Sequence, residues 1–194
     1  KFVAIKINTN LSTLNNDLAR SFFENNVQTI VISADDADKE SYEKIRIKGK
    51  FEKLISNINL LNNIKKDYPN SKTIIRVSGV KINQKQDIQK MKKIYGKFTD
   101  SVAFVNYLPW ESSYENEENK IKEACSDLWK RMFVWYDGKM NPCDYDYKSI
   151  LSKANYNEIN IKNYWNSDHY NSIRNKHFNS ERDKIIPCNT CTNT

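Results

Sequence analysis

All four cysteines of the 194-residue chain lie in its C-terminal third. Cys125 and Cys143 come first, and Cys188 and Cys191 follow as a CxxC pair, which places two sulfurs on one tight turn. Thiolates at such positions typically share one metal centre. Binding by four thiolates suits an iron–sulfur cluster or a structural zinc ion, and the spacing alone does not separate the two.

A predicted β-hairpin positions the first two of these cysteines. The pair Asp137-Gly138 lies between two strand-like runs, at 132–136 and 139–143. An Asp-Gly pair between such runs is a strong sequence signal for a hairpin turn. We therefore expect the hairpin to return Cys143 to a position beside the incoming chain.

The residues between the cysteines resemble the SPASM/twitch extension of radical S-adenosylmethionine (radical SAM) enzymes. They read ACSDLWKRMFVWYDGKMNPCDYD, then INIKNYWNSDHYNSIRNKHF, then IPCNTC. In that extension a first Cys leads into a hairpin with a DG turn and a Pro-Cys, and a Trp-Asn-Ser helix start, an Ile-Arg and a CxxC follow. The longer SPASM form carries further cysteines and two auxiliary clusters, so this chain is more similar to the single-cluster, twitch-like form. The resemblance implies one auxiliary [4Fe–4S] cluster bound by Cys125, Cys143, Cys188 and Cys191.

The first half of the chain alternates apolar strand-like runs with amphipathic helical segments. This order of strand, helix, strand implies a parallel sheet with right-handed crossovers, and therefore an α/β fold. The four expected strands lie near residues 2–7, 27–33, 73–82 and 101–107.

Two stretches of this half, IKINTN and VISADDADKESYEKIRIKGKFEKLISNINLL, resemble the middle of the radical SAM partial barrel. The resemblance implies that residues 1–107 form the third to sixth strands of a partial (βα)6 barrel. A linker at 108–123 and a small α+β SPASM/twitch-like domain at 124–194 would follow. The Cys-x3-Cys-x2-Cys loop of the family is absent, so the chain is expected to be the C-terminal portion of a longer enzyme and inactive alone. A second [4Fe–4S] cluster would belong to the N-terminal part.

Polar residues at the predicted strand ends suggest a ligand site in this half. In parallel α/β folds ligands bind beyond the carboxyl ends of the strands. The resemblance implies that Ser33 and Arg46 hold SAM by its ribose or carboxylate, with Asn10 and Asp35 as further candidates. The alternative is that Ser33 and Asp35 merely cap the following helix.

The function that the resemblance implies is a radical SAM oxidoreductase of the maturase type, acting on a peptide, a sugar or a small molecule. The sequence identifies no catalytic residue. His169 and His177, on a predicted helix, are more typical of surface or partly buried histidines than of metal ligands. The alternative is a non-catalytic module in which the four thiolates hold zinc for a structural or protein-recognition role.

The composition bears on partners and location. The formal net charge is +7, but the excess is mostly lysine spread along predicted helices, which argues against a nucleic-acid-binding protein. No apolar run approaches the roughly 20 residues of a membrane helix. Cysteines without a signal-peptide pattern indicate a reducing, cytoplasmic setting. An exposed edge of the predicted sheet would invite dimerisation.

Overall fold

The computed structural model describes residues 4–107 and 113–192. The chain divides into two compact units, Lys1–Tyr107 and Leu108–Thr194. Each unit has buried apolar clusters of its own. Among the described residues, no helix combines the length and the apolar character that crossing a membrane requires.

The first unit alternates strands with helices, which confirms the predicted α/β fold. Two helices, the first of them short, connect the second strand to the third. The elements in chain order are β1 (Lys6–Thr9), α1 (Asn16–Glu24), β2 (Thr29–Ser33), α2 (Lys39–Ile45), α3 (Phe51–Lys66), β3 (Ile74–Lys81), α4 (Ile88–Tyr95) and β4 (Ser101–Asn106).

These four strands form one parallel sheet in the order β1-β2-β3-β4. Its centre is the β-branched run of β2, where Ile30 and Ile32 are fully buried. Ile58 and Leu61 of α3 belong to the same core cluster. Such strands read as continuous apolar runs because parallel sheets are covered by helices. All four strands end at the same edge of the sheet, which brings the loops after β1, β2 and β3 together.

Side chains at the helix starts explain where the helices of this unit begin. The amide oxygen of Asn15 accepts a hydrogen bond from the third residue after it, and Asp38 and Asp87 do the same at α2 and α4. Each satisfies a backbone N–H that has no partner within its helix. The N-cap of α2 is therefore Asp38 and not Ser33 or Asp35.

The second unit consists of short elements around the predicted hairpin. Its turn confirms the Asp-Gly prediction: Gly138 adopts a positive φ of 83°, and the N–H of Trp135 bonds to the carbonyl of Lys139 at 2.9 Å. The elements are α5 (Asp127–Lys130), β5 (Phe133–Val134), β6 (Met140–Asn141), α6 (Ile161–Trp165), α7 (Asp168–Phe178) and a 3-10 turn (Arg182–Lys184), with β5 and β6 antiparallel.

Helix α7 is held in place by Arg174, which is buried on the helix. Its guanidinium lies 4.2 Å from the ring centre of Trp165 and 4.1 Å from that of Tyr170. The same group donates from Nε to the carbonyl of Leu128 in α5 at 3.0 Å. Stacking on aromatic faces and a backbone hydrogen bond together stabilise a buried cation. Arg174 thus joins α7 to the short helix that follows Cys125.

The described part of the segment expected as a linker, residues 113–123, lies within the second unit and bonds to other parts of that unit. Ser113 donates its hydroxyl to the carbonyl of Tyr145 at 2.8 Å. The backbone N–H of Asn119 bonds to the carbonyl of Asn189 at 2.8 Å, and its side-chain amide donates to the carbonyl of Cys191 at 3.0 Å. These contacts reach the turn that carries the CxxC pair.

Candidate metal centre

The four cysteines line one cavity in the second unit, as free thiols. Cys125 lies just before α5 and Cys143 just after β6, while Cys188 and Cys191 lie on the turn that follows the 3-10 segment. The structure therefore brings together all four residues that the sequence predicts as ligands. The other residues lining the cavity are Asp127, Leu128, Pro142, Tyr145, Leu151, His177, Arg182 and Pro187.

The cavity is an unfavourable place for an isolated thiolate. Burial raises the pKa of Cys143 to about 12, and burial likewise raises the pKa of Cys188. A bound metal reverses this preference, since coordination deprotonates a thiol and its positive charge offsets the lost hydration.

The donor set fits a soft, thiolate-preferring group such as an iron–sulfur cluster or zinc. Within the described residues, no three or more His, Cys, Asp or Glu side chains stand close enough together to hold a single metal ion. The four thiols thus surround one cavity, but they are not close enough together to coordinate a single metal ion.

A buried arginine fixes the CxxC turn. Arg182 is 1% exposed, and its Nε and Nη2 donate to the carbonyls of Cys188 and Cys191 at 3.3 and 2.8 Å. Its Nη1 donates to the carbonyl of Glu123 at 3.3 Å, two residues before Cys125. Arg182 thereby connects the backbone just before Cys125 to the turn that carries Cys188 and Cys191. No sequence pattern indicates this role, because Arg182 lies in a polar stretch where an exposed arginine is expected.

A buried histidine fixes the first cysteine. The backbone N–H of Cys125 donates to Nδ1 of His177 at 3.2 Å, and His177 is 1% exposed. Burial, together with the positive charge of Arg182, lowers the pKa of His177 to about 4. The ring is therefore neutral at pH 7. The other histidine, His169, lies outside the cavity and bonds through Nε2 to the carbonyl of Leu151 at 2.8 Å.

A second candidate site lies at the strand ends of the first unit and depends on a buried carboxylate. Asp35 is 3% exposed and pairs through Oδ2 with Nε of Arg46 at 2.5 Å. Its Oδ1 accepts the backbone N–H of Val80 at 2.8 Å. Asp35 therefore connects the loop after β2 to β3 and to the end of α2.

Asn10 and Arg46 line the same surface cleft, whose lysines give it a positive charge. Ser33 is the last residue of β2, pairs in register with Ser78 and does not line this cleft. The structure thus places Asn10, Arg46 and, through the ion pair, Asp35 at one edge of the sheet. The other residues lining the cleft are Ser12, Tyr42, Ile45, Ile47, Lys48, Gly49, Lys50, Lys53 and Leu54.

Comparison with known proteins agrees with this arrangement. Residues 125–192 match the SPASM family, an iron–sulfur cluster-binding domain. The matched segment begins at Cys125 and includes the other three cysteines of the cavity.

A curated relative and a solved structure extend the similarity into the first unit. The chain is 33% identical over 171 residues to the cysteine-type anaerobic sulfatase-maturating enzyme of Clostridium novyi (strain NT), a match that covers 77% of this chain and 41% of the relative. Its fold is similar to that of Streptococcus suis SuiB, solved bound to the precursor peptide SuiA, with a TM-score of 0.61 and 14% identity. That match covers 87% of this chain and 49% of SuiB, so the chain spans less than half the length of either protein.

The chain is thus of the class of proteins in which an iron–sulfur cluster-binding domain follows a parallel α/β unit. Within that class, residues 125–192 are a SPASM domain, and the similarity to a radical SAM enzyme over both units supports membership of the radical SAM family.

Proposed function

We propose that this chain binds one auxiliary [4Fe–4S] cluster through Cys125, Cys143, Cys188 and Cys191, as part of a SAM-dependent oxidoreductase of the maturase type. The observation that carries the proposal is the single cavity that all four thiols line. Four cysteines are the usual ligands of a [4Fe–4S] cluster. A cluster bound there supplies a one-electron redox centre.

The residues around the thiols have separate tasks. Leu128 and Leu151 are buried in the cavity wall and exclude water. Arg182 lines the same cavity and contributes a positive charge beside the anionic thiolates. Its hydrogen bonds to the carbonyls of Cys188 and Cys191 keep the two sulfurs of the turn in position. Burial and nearby charge are the means by which a protein sets the potential of such a centre.

The strand-end cleft is the proposed SAM site of the chain. The guanidinium of Arg46 offers a planar fork of donors that suits a carboxylate. Its Nε pairs with Asp35, which fixes one side of the group. Asn10 adds an amide to the cleft wall, and Ser33 lies two residues before Asp35. SAM supplies the 5′-deoxyadenosyl radical in this family. Residues 4–107 would correspond to the third to sixth strands of the partial barrel.

The proposed substrate is a polypeptide side chain. This rests on the relative from Clostridium novyi, whose name describes a cysteine-type enzyme that matures sulfatases. The proposed location is the cytoplasm, where thiols stay reduced.

Metal analysis of anaerobically reconstituted protein tests the cluster assignment. We expect about four irons and about four acid-labile sulfides per chain. The Cys188→Ser and Cys143→Ser variants should lose most of both. The Tyr136→Ser variant, altered at a fully exposed position in the same unit, should keep them. Zinc without sulfide, or unchanged iron and sulfide in the cysteine variants, would contradict the proposal.

A further inference from the structure

His177, which lines the cysteine cavity, has one ring nitrogen that finds no hydrogen-bond partner within residues 4–107 and 113–192. The ring lines the cavity together with all four cysteines. Its Nε2 is buried and has no hydrogen-bond partner among the described residues. A buried polar atom that stays unpaired destabilises the folded state, so an atom of this kind in a folded protein calls for an explanation.

The other ring nitrogen determines what Nε2 is able to do. Nδ1 accepts the backbone N–H of Cys125 at 3.2 Å, and an accepting nitrogen carries no proton. The proton of the ring must then sit on Nε2, which makes that atom a donor. No acceptor for this donor exists among the described residues. An acceptor that a bound cluster brings within reach of Nε2 would satisfy it.

We infer that Nε2–H of His177 donates a hydrogen bond to a sulfur of the bound cluster. This inference rests on the proposed function, since the acceptor is either a thiolate or a sulfide of that cluster. A hydrogen bond to sulfur favours the reduced cluster, which carries more negative charge, and therefore raises the reduction potential. His177 is then a positioning residue that tunes the cluster while it holds the backbone of Cys125.

Two substitutions of His177 each remove one of its two hydrogen-bonding groups and keep the other. In His177→Asn the short amide keeps an oxygen near the position of Nδ1, where it accepts the N–H of Cys125, but it does not reach the position of Nε2. In His177→Gln the longer amide places an N–H near Nε2 and loses the acceptor. His169→Gln, on the same helix but outside the cavity, is the matched control.

The readout is the midpoint potential of the reconstituted full chain, followed by electron paramagnetic resonance (EPR). We expect His177→Asn to reduce the equilibrium constant for one-electron reduction about tenfold, which is about 59 mV. His177→Gln and His169→Gln should stay within about threefold of the unaltered chain. A role limited to holding Cys125 predicts the opposite order, with His177→Gln perturbed and His177→Asn normal. That order would overturn the inference.

A second measurement needs no variant. In unaltered chain labelled with 15N-histidine, pulsed EPR of the reduced cluster should show one weakly coupled nitrogen and one exchangeable proton. If the chain holds the cluster but shows neither coupling, the inference is overturned and the proposed function stands. A nitrogen coupled strongly enough to be an iron ligand would have the same consequence. A chain that assembles no cluster under the metal analysis would overturn the proposed function, and this inference with it.

Discussion

Asp35 and Arg46 form an ion pair in which the carboxylate is almost fully buried and the guanidinium is one-third exposed, at 4% and 33% of their side-chain surfaces. The pair joins the loop after β2 to Arg46, the residue that directly follows α2. Oδ1 of the same carboxylate accepts the N–H of Val80 in β3, so one side chain connects three elements at the ligand edge of the sheet.

The first prediction concerns the stability that Asp35 provides. Asp35→Ala should lower the free energy of unfolding by about 2–3 kcal/mol, because it leaves the N–H of Val80 and Nε of Arg46 unpaired. The partial exposure of Arg46 keeps the loss below that of a fully buried pair. Urea unfolding followed by circular dichroism measures it. Asp67→Ala, which breaks an exposed pair with Arg20, should cost less than about 1 kcal/mol.

The second prediction concerns SAM binding. Arg46→Gln should weaken SAM binding to the chain at least about tenfold, because a charge-assisted bond to the SAM carboxylate is lost. Isothermal titration calorimetry measures the affinity. Arg20 lies on α1, outside the cleft, in an exposed ion pair with Asp67. The Arg20→Gln variant should therefore bind SAM as tightly as the unaltered chain. Equal affinities for the two variants would rule out the cleft as the SAM site.

The third prediction concerns the hairpin turn. Gly138 has a φ of +83°, and a Cβ added there would lie 2.4 Å from Oδ1 of Asn155. Gly138→Ala should therefore lower the free energy of unfolding by about 1–2 kcal/mol from the backbone conformation alone. The exposed neighbouring position offers the control, since Tyr136→Ala should change stability by less than about 0.5 kcal/mol. Thermal unfolding compares the two. An unchanged melting temperature for Gly138→Ala would mean that the turn relaxes without cost.

The fourth prediction concerns Arg182. Arg182→Met removes donors from three backbone carbonyls, those of Glu123, Cys188 and Cys191. We expect a loss of about 3 kcal/mol in the free energy of unfolding, and faster loss of iron when a chelator is added to the loaded chain. Lys184→Met, two residues away and exposed, should release iron at the rate of the unaltered chain. Equal rates for the two variants would show that the CxxC turn holds its position without Arg182.

Local sequence patterns were sufficient for the elements that they specify directly. The apolar run at Ile30–Ile32 predicts a buried strand, and it lies at the centre of the parallel sheet. The pair Asp137-Gly138 predicts a hairpin because only a residue without Cβ adopts that backbone conformation freely. Helix α3 follows from apolar residues that recur at helical spacing.

Contacts between distant residues could not be predicted in this way. Arg182 and His177 lie in polar stretches, and only the folded chain shows that both are buried beside the cysteines. Asn119 lies in an acidic, polar run that reads as a connector, yet it bonds to Cys191, far along the chain. The burial of a polar residue depends on partners that tertiary folding supplies, and local sequence patterns do not report them.

Dimerisation through a sheet edge stays a prediction.

The most direct test of the central claim is native mass spectrometry of the anaerobically reconstituted 194-residue chain. The mass of the folded ion identifies the bound group and counts it per chain in one experiment. We predict a single added mass of about four irons and about four sulfides on each chain, absent from the Cys188→Ser variant. An added mass of one zinc ion, or a mass equal to the polypeptide alone after reconstitution, would contradict the claim that the four cysteines hold a cluster.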